Sequence, residues 1–258
     1  MTGPRILVLD IETSPIQAFA WGIWQQNIEP LKQIIAPPRM LCYGARWHGE
    51  KRKFFASEYH DGRLEMLQSL HALLDEADFV VGWNSARFDR PWIDGEFDRE
   101  GLGPAAPARD IDLMRVAKKQ FRLPSYKLDY VAQKHYGLPG KVSHTGFQLW
   151  RDVLLGDDET KAKAWRLMKR YQLGDIDVTD AVFARMKPWI RLLPNPALYA
   201  DDGTPEACGC GNTQLQRRGY RYTQVSRYVR YFCAGENGCG AWLSAGKRDR
   251  GIDVRRFG

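Results

Sequence analysis

The sequence predicts an α/β protein in which a mixed sheet flanked by helices is followed by a small β-rich domain. Two apolar runs, residues 6–9 and 79–81, each lead toward polar or acidic side chains, as buried strands do where they reach a site. Stretches between the predicted strands carry apolar residues at helical spacing. Four of the five cysteines lie between residues 208 and 239, in a segment with its own composition.

The positive charge of the chain is concentrated near its C-terminus. Of the net charge of +7 over 258 residues, +6 comes from ten basic and four acidic side chains in residues 206–258. A basic segment predicts an anionic partner, most often nucleic acid; the alternative is a solvated segment without a specific partner. Prolines and turn residues mark a linker at 194–205, so we predict one domain over 1–193 and another over 206–258.

The sequence has no segment suited to a membrane or to secretion. No apolar run approaches the length of a bilayer span, and the N-terminus leads directly into a strand. We therefore expect a cytoplasmic protein without membrane association.

The larger domain is predicted to begin with an antiparallel meander. Residues 6–13 form its first strand, and four prolines within 15–38 indicate a loop that contains one extended piece. Residues 40–47 and 53–57 predict two further strands, which a hairpin turn at 48–50 joins.

Helices and one more strand are expected in the rest of this domain. Residues 61–75 predict a helix with a buried side formed by Leu64, Leu67, Leu70, His71 and Leu74. Residues 77–84 predict a buried strand, and Pro91 fits the first turn of a helix over 90–99. We expect residues 111–120 to be helical or mixed and residues 127–136 to be helical.

The longest predicted helix covers residues 158–186. Gly174 lies inside it and argues against a single unbroken helix, while Pro188 should end or kink it.

Two carboxylates end the first strand. Because side chains alternate along a strand, Asp10 and Glu12 project on the same side. Like charges held together at the end of a buried strand are costly unless a cation lies between them. Hard oxygen ligands favour magnesium or manganese.

Two further segments supply acidic residues. Asp89 lies at the start of a helix that directly follows a strand, and Tyr171 and Asp175 share one helical face at i, i+4 spacing. Four carboxylates from three segments could hold two metal ions about 3.5–4 Å apart, an arrangement used for in-line displacement at phosphorus. Tyr171 would then hydrogen-bond the attacking water or assist its deprotonation.

In this order, these segments resemble the three motifs of the DnaQ-like 3′–5′ exonucleases, the DEDD family with a ribonuclease-H-like fold. Residues 10–13, Asp-Ile-Glu-Thr, match the first motif, and residues 82–89 match the second. Residues 171–175 match the third in its tyrosine form. The resemblance covers about residues 5–190. It implies Asp10, Glu12, Asp89 and Asp175 as ligands of two magnesium or manganese ions, and Tyr171 as the catalytic partner.

The resemblance is closest to stand-alone, phage-type members, and it implies several properties of the protein. The implied activity is the removal of nucleotides from a 3′ end, and the expected substrate is single-stranded DNA. The implied location is the cytoplasm of a bacterium or of a phage-infected host. Replication or repair proteins are candidate partners. An RNA 3′-processing exonuclease, or an inactive nuclease fold serving as a nucleic-acid or replisome adaptor, are the alternatives. A ribonuclease-H-like transposase is a weaker one, because its acidic residues would not come with the Tyr-x-x-x-Asp pairing.

Other polar residues near the motifs leave choices open. Asp177 and Asp180 compete with Asp175 for the third motif, and the spacing from Tyr171 favours Asp175. Asp110 and Asp112 suit a helix cap or a substrate-side polar group better than a metal site. Asn84 suits the turn before Asp89, and His135 and His144 are expected to be structural or exposed.

The cysteines of the C-terminal segment form two pairs, Cys208 with Cys210 and Cys233 with Cys239, which suits one structural zinc ion. Cys42 stands apart and is expected in the core. Two predicted strands, 215–222 and 227–232, lie between the pairs. The segment resembles a zinc ribbon, although its pairs enclose one and five residues where two are usual.

Arginines and tyrosines interleave on the predicted ribbon hairpin. Arginine can contact phosphates and tyrosine can stack on unpaired bases; the alternative is a structural unit that packs on the larger domain or on a protein partner. The candidate nucleic-acid residues are Arg217, Arg218, Tyr220, Arg221, Tyr222, Arg227, Tyr228 and Arg230.

Overall fold

The computed structural model describes residues 3–143, 145–191, 193, 195, 198 and 206–253. The chain divides into two compact units, residues 5–183 and residues 184–258 together with 1–4. Apart from residues 195 and 198, the predicted linker lies outside the described residues, and the predicted domain borders stay predictions.

The first unit contains both strands and helices, with most of the strands in its first part. Its first part contains β1 (Ile6–Thr13), β2 (Gln17–Ala18), α1 (Pro30–Gln33), β3 (Ile34–Ala36), β4 (Met40–Trp47), β5 (Lys53–Ser57) and α2 (Arg63–Asp75). There follow β6 (Phe79–Gly82), α3 (Asp89–Arg99), β7 (Arg109–Asp112), α4 (Leu113–Gln120) and α5 (Leu128–Tyr130), which a π-helical turn (Val131–His135) continues. The last elements are α6 (Phe147–Leu155) and α7 (Asp158–Met186); the last three residues of α7 and the 3₁₀ turn that follows (Lys187–Trp189) belong to the second unit.

Five strands form the central sheet in the order β5-β4-β1-β6-β7. The first three, β5, β4 and β1, are antiparallel neighbours, which confirms the predicted meander. β6 runs parallel to both β1 and β7, so the sheet is mixed. In the β1–β4 register, Asp10 lies opposite Gly44 and Glu12 lies opposite Cys42.

Apolar clusters cover both faces of the sheet. Leu7, Leu9 and Ile11 of β1 belong to a cluster that includes the buried sides of α2 and α3. Leu41 and Cys42 of β4 belong to a second cluster with α6 and α7, which confirms Cys42 as a core residue. Because strand side chains alternate, β1 turns its carboxylates away from α2 and α3, toward the face that α6 and α7 cover.

The helix α2 buries a different side from the predicted one. Met66, Leu67, Leu70, Leu73 and Leu74 are buried, whereas Leu64 is exposed and His71 is half-buried. At about 100° per residue, Leu64 lies about 120° around the helix from Leu70, outside the buried stripe.

Four parts of the first unit differ from the sequence-based expectations. Residues 109–112 form the strand β7 and precede a helix, since the pairing of β7 with β6 overrides its charged composition. The helix α6 has no counterpart among the predictions. The segment 15–38 contains a short hairpin, β2 with β3, in place of one extended piece. The helix α7 continues unbroken through Gly174.

The second unit is a β-sheet built around one central strand. It contains β8 (Leu215–Tyr222), β9 (Ser226–Cys233), β10 (Trp242–Ser244) and β11 (Arg250–Gly251). β9 pairs antiparallel with β8, which confirms the predicted hairpin, and also with β10 and β11. Across the described residues, no helix combines the length and the apolar character that a bilayer span requires.

Candidate active site

Three carboxylates of the first unit meet beside the end of β1. One oxygen each of Asp10, Glu12 and Asp175 lies within 4.8 Å of the other two. Asp10 and Glu12 come from alternate positions of β1, and Asp175 comes from the middle of α7. The sequence predicted that these three side chains share a site, and the structure brings them together.

A glycine in the sheet allows α7 to approach β1. At Gly44, which is paired with Asp10, an added Cβ would lie 2.9 Å from Gln172 Cγ and 3.1 Å from Ile176 Cγ1. The Gln172 side-chain amide donates to the Asp10 carbonyl oxygen at 2.6 Å and to Asp10 Oδ2 at 3.1 Å. This contact holds α7 against the strand within one turn of Asp175. Sequence reasoning missed both residues, although a glycine inside an apolar strand is a signal of close approach.

Asp89 lies next to this cluster and outside it. It is the first residue of α3, is buried, and its Oδ1 accepts a hydrogen bond from the Ile11 backbone amide at 3.2 Å. That amide belongs to the residue between Asp10 and Glu12. The structure therefore places the fourth predicted ligand beside the same strand end.

Burial, and then neighbouring acids, raise the pKa values of the carboxylates of the site. Burial and then the charge of Asp89 raise the pKa of Asp10 well above its usual value. Burial and then Asp175 raise the pKa of Glu12 to about 8. Burial raises the pKa of Asp89 to about 7, despite the hydrogen bond from Ile11. A positive charge close to these carboxylates would stabilise their ionised forms.

Lys141 supplies part of that charge. Its Nζ lies 2.5 Å from Asp175 Oδ2 and 3.4 Å from the Tyr171 hydroxyl. The neighbouring Val142 packs on Gly174, where an added Cβ would lie 2.5 Å from Val142 Cγ2. Gly174 therefore lets the loop that carries Lys141 lie directly on α7. The sequence indicated only a polar loop here and gave no signal for this lysine.

Tyr171 completes the described site. Its side chain is buried one helical turn before Asp175, as the i, i+4 spacing predicted. Burial, followed by the charge of Asp175, raises the pKa of the Tyr171 phenol. The hydroxyl therefore stays protonated at neutral pH and is a hydrogen-bond donor.

The competing acids of α7 have other partners. Asp177 pairs with Arg46 at 3.0 Å and with Lys53 at 2.6 Å. Asp180 accepts from His48 at 2.5 Å. Both ion-pair with side chains of β4, the turn after it or β5, and the three-carboxylate cluster contains neither.

Asp112, the acid directly before α4, also has structural partners. Asp112 caps α4 by accepting from the backbone amides of Met114 at 3.0 Å and Arg115 at 3.2 Å, as the helix-cap interpretation expected. It also accepts from the Asn84 amide at 3.0 Å, and Asn84 has a φ of 65° in the predicted turn. Burial raises the pKa of Asp110.

The histidines singled out in the sequence take no part in the described site. His135 packs against Phe121, with ring centroids 4.9 Å apart. His144 lies outside the described residues.

A cavity of about 400 Å³ opens where β1 ends. Thr13, Ser14 and Pro15 line one part of it, and Gly146, Phe147 and Trp150 line the other. The Trp150 indole nitrogen donates to the Thr13 carbonyl oxygen at 3.0 Å. Thr13 directly follows Glu12, so the cavity adjoins the carboxylate cluster along the chain.

The second unit contains a cluster of four thiols. The sulfur atoms of Cys208, Cys210, Cys233 and Cys239 lie within 4.8 Å of one another. Cys208 and Cys239 are 3.6 Å apart and Cys210 and Cys233 are 3.7 Å apart, so the four are free cysteines. A zinc ion with Zn–S bonds of about 2.3 Å in tetrahedral geometry separates its sulfurs by about 3.8 Å. The donor set and spacing therefore fit one metal ion.

One of these thiols has a lowered pKa, which favours metal ligation. Burial raises the pKa of Cys233, but hydrogen bonds from the Asn212 side chain at 3.3 Å and the Cys239 amide at 3.4 Å lower it to about 7. Metal ligation needs the thiolate, so these donors favour it.

The candidate nucleic-acid residues all lie on β8 and β9. Several of them interact with each other: Arg227 and Arg217 lie over the Tyr220 ring, 4.4 and 5.3 Å from its centroid. The register of the β8–β9 pairing shifts between Arg217 and Tyr220. Arg227 is also ion-paired with Asp249 at 2.5 Å.

Comparison with solved structures identifies a similar fold. The family B DNA polymerase from the hyperthermophilic archaeon Pyrobaculum calidifontis matches with a TM-score of 0.52 and 16% sequence identity. The match covers 89% of this chain, which spans 33% of the polymerase chain. No curated protein matches the sequence significantly.

Comparison with protein families gives a match over residues 40–171, which is 132 of the 258 residues. The matched segment contains Asp89 and ends at Tyr171; Asp10, Glu12 and Asp175 lie outside it. The mixed sheet with helices on both faces is the architecture predicted from the sequence, and the predicted fold class is confirmed. The chain belongs to the RNase_H superfamily.

Proposed function

We propose that this chain is a metal-dependent 3′–5′ exonuclease that hydrolyses phosphodiester bonds from the 3′ end of nucleic acid, with single-stranded DNA as its substrate. The observation that carries the proposal is the meeting of Asp10, Glu12 and Asp175 within 4.8 Å beside Tyr171. The superfamily and the polymerase-like fold support a nuclease in general. The 3′–5′ direction of hydrolysis and the substrate are inferred from the resemblance of the three motifs to those of the tyrosine-type DEDD exonucleases.

The donor set fits two magnesium or manganese ions. Asp10, Glu12, Asp89 and Asp175 are hard oxygen donors. Burial first, and then neighbouring acids, raise the pKa values of Asp10, Glu12 and Asp89, and a bound cation would favour their charged forms. When bound, such ions would activate water and stabilise charge that develops on the phosphate and on the leaving oxygen.

The chain's own residues orient the reaction. The protonated Tyr171 hydroxyl donates a hydrogen bond and would align the attacking water. Lys141, in contact with Asp175 and near Tyr171, offsets part of the negative charge of the site. Gln172 fixes Asp10 through two hydrogen bonds, which keeps the strand carboxylates in register with α7.

For the second unit we propose a zinc ribbon that binds nucleic acid. One zinc ion would be held by the four cysteines, and its role would be structural, because so small a sheet has little core of its own. The exposed arginines of β8, such as Arg217, Arg218 and Arg221, would contact phosphates. The proposal includes a phage-type enzyme that works in the cytoplasm beside replication or repair proteins.

The deciding experiment follows a 5′-labelled single-stranded DNA oligonucleotide with magnesium, with manganese and with chelator. We expect a metal-dependent ladder that shortens from the 3′ end and disappears in Asp10→Ala. Asp177→Ala is the matched control, since Asp177 lies on α7 and is ion-paired away from the cluster. Full activity in Asp10→Ala would overturn the assignment of the site.

A matched RNA oligonucleotide in the same assay decides whether the substrate is DNA or RNA. Faster degradation of RNA would assign the chain to RNA 3′-processing. Tight binding of both strands without hydrolysis under any metal would leave an inactive adaptor as the function.

A further inference from the structure

A short hairpin projects from the chain directly after the site strand. β2 pairs with β3, and the Phe19 amide donates to the Gln33 carbonyl oxygen at 3.0 Å. The Gln33 side chain donates back to the Phe19 carbonyl oxygen at 3.1 Å and accepts from the Glu29 amide at 2.7 Å. These bonds tie the base of the hairpin, residues 17–36, and leave residues 20–28 as its tip.

The hairpin carries large apolar side chains that the described residues of its unit leave exposed. Trp21 is 99% exposed, Trp24 80%, Phe19 74% and Leu31 96%. Three aromatic side chains of about 150–250 Å² each present an apolar area at or above the roughly 300–600 Å² of the largest patch on a typical monomer. A surface of this kind indicates a binding partner.

The charge of the hairpin is balanced within itself. Its only charged residues are Glu29 and Lys32, which pair at 3.0 Å. No unpaired carboxylate of the hairpin would therefore repel a phosphate, and no unpaired cation would attract one. Recognition here has to come from the aromatic rings.

The hairpin is continuous with the site. Glu12 is followed by Thr13, Ser14 and Pro15, which line the 400 Å³ cavity, and the hairpin starts two residues later. At no more than about 3.4 Å per residue, Phe19 lies within about 24 Å of Glu12. A stacked strand advances about 3.4 Å per nucleotide, so the hairpin lies within about seven nucleotides of the carboxylates.

We propose that Phe19, Trp21 and Trp24 hold the unpaired 3′ segment of the nucleic-acid substrate by stacking on its bases. This inference rests on the proposed function. Bases are favoured over a protein or a lipid surface because the three rings lie within six residues and directly follow the carboxylate strand and its cavity. Stacking of this kind tolerates any sequence, since every base offers a flat face.

The test compares binding of fluorescein-labelled dT20 by anisotropy in chelator with hydrolysis of the dinucleotide dTpdT, which offers only two bases for stacking and must place its single phosphodiester bond at the carboxylates. We expect the double variant Trp21→Ala/Trp24→Ala to weaken dT20 binding by at least about 10-fold. Its dinucleotide hydrolysis should remain unchanged, which also shows that the site is folded. Because no phosphate contact is lost, the salt dependence of binding should stay the same.

Two further variants separate stacking from general hydrophobicity. Trp21→Phe/Trp24→Phe should restore most of the affinity, and Leu31→Ala should leave it at the wild-type value. Unchanged affinity in the alanine double variant overturns the inference. An equal loss in Leu31→Ala also overturns it, in favour of an apolar docking surface for a protein or a membrane. If the wild type hydrolyses neither dTpdT nor dT20, the proposed function fails, and anisotropy alone still decides the role of the hairpin.

Discussion

Replacing Asp10 by Asn should affect stability and activity in opposite directions. Asp10 is half-buried, and its pKa is raised well above the usual value by desolvation and by the neighbouring acids Asp89, Glu12 and Asp175. Asparagine keeps the shape and can still accept the Gln172 hydrogen bonds, but it removes the charge. We expect the metal-free variant to be more stable than the wild type and to hydrolyse at least about 100-fold more slowly.

The size of the stabilisation follows from the spacing of the carboxylates. Two unit charges 4.8 Å apart repel by about 3 kcal/mol at an effective dielectric constant of 20. Lys141 offsets part of this, and protonation of the cluster relieves more of it. The net gain in the free energy of unfolding should therefore be about 1–3 kcal/mol, which for a unit of this size corresponds to about 2–10 °C in Tm.

Divalent metal should reverse the order of stability. At a concentration 100 times its Kd, a metal ion stabilises the wild type by about 2.7 kcal/mol, and the variant lacks one ligand. Thermal melts in chelator and in magnesium measure whether the variant is more or less stable than the wild type under each condition. Asp177→Asn is the control, and it should keep its activity. A variant that melts below the wild type in chelator would refute the reasoning, because the carboxylates would then not repel one another.

Four other perturbations have defined outcomes. Gly44→Val should lower kcat at least about 10-fold and cost about 1–3 kcal/mol of stability, because it pushes α7 off β1; kinetics and melts measure both. Lys141→Met should lower kcat about 10–100-fold and reduce the metal concentration needed for half-maximal rate, since Nζ no longer competes for Asp175; a metal titration shows it. Cys208→Ser should melt the second unit without loss of dinucleotide hydrolysis, as unit-specific proteolysis would report. In chelator, stability should fall as pH rises from about 4 to about 8, because the native state keeps protons on Glu12 and Asp89 that the unfolded chain releases; melts at pH 5.5 and 8.5 test the sign.

The periodicity of strands and helices was sufficient to predict which site residues on the same element lie on the same side of it. The alternation of a strand placed Asp10 and Glu12 on one side, and the helical i, i+4 spacing placed Tyr171 beside Asp175. The spacing of the cysteines likewise indicated a common site, and their four sulfur atoms lie together in the fold. For the strand and the helix, the relevant distances are set by the geometry of the backbone within a few residues.

Contacts between segments that are far apart in the chain could not be predicted from this periodicity. Lys141 reaches Asp175 only because Gly174 lets the loop lie on α7, and no local pattern reports that packing. The strand β7 forms because β6 offers a pairing edge, and its own four residues are mostly charged.

The sequence by itself therefore determined the fold class, the strand and helix that carry the acidic residues, and the four cysteines of the second unit. Only the tertiary structure decided how closely α7 approaches β1 at Gly44, which cation faces the carboxylates, and that the hairpin after β1 leaves Trp21 and Trp24 uncovered. The physical reason is that periodicity encodes which face of an element is apolar, whereas the distance between elements depends on the packing of side chains far apart in the chain.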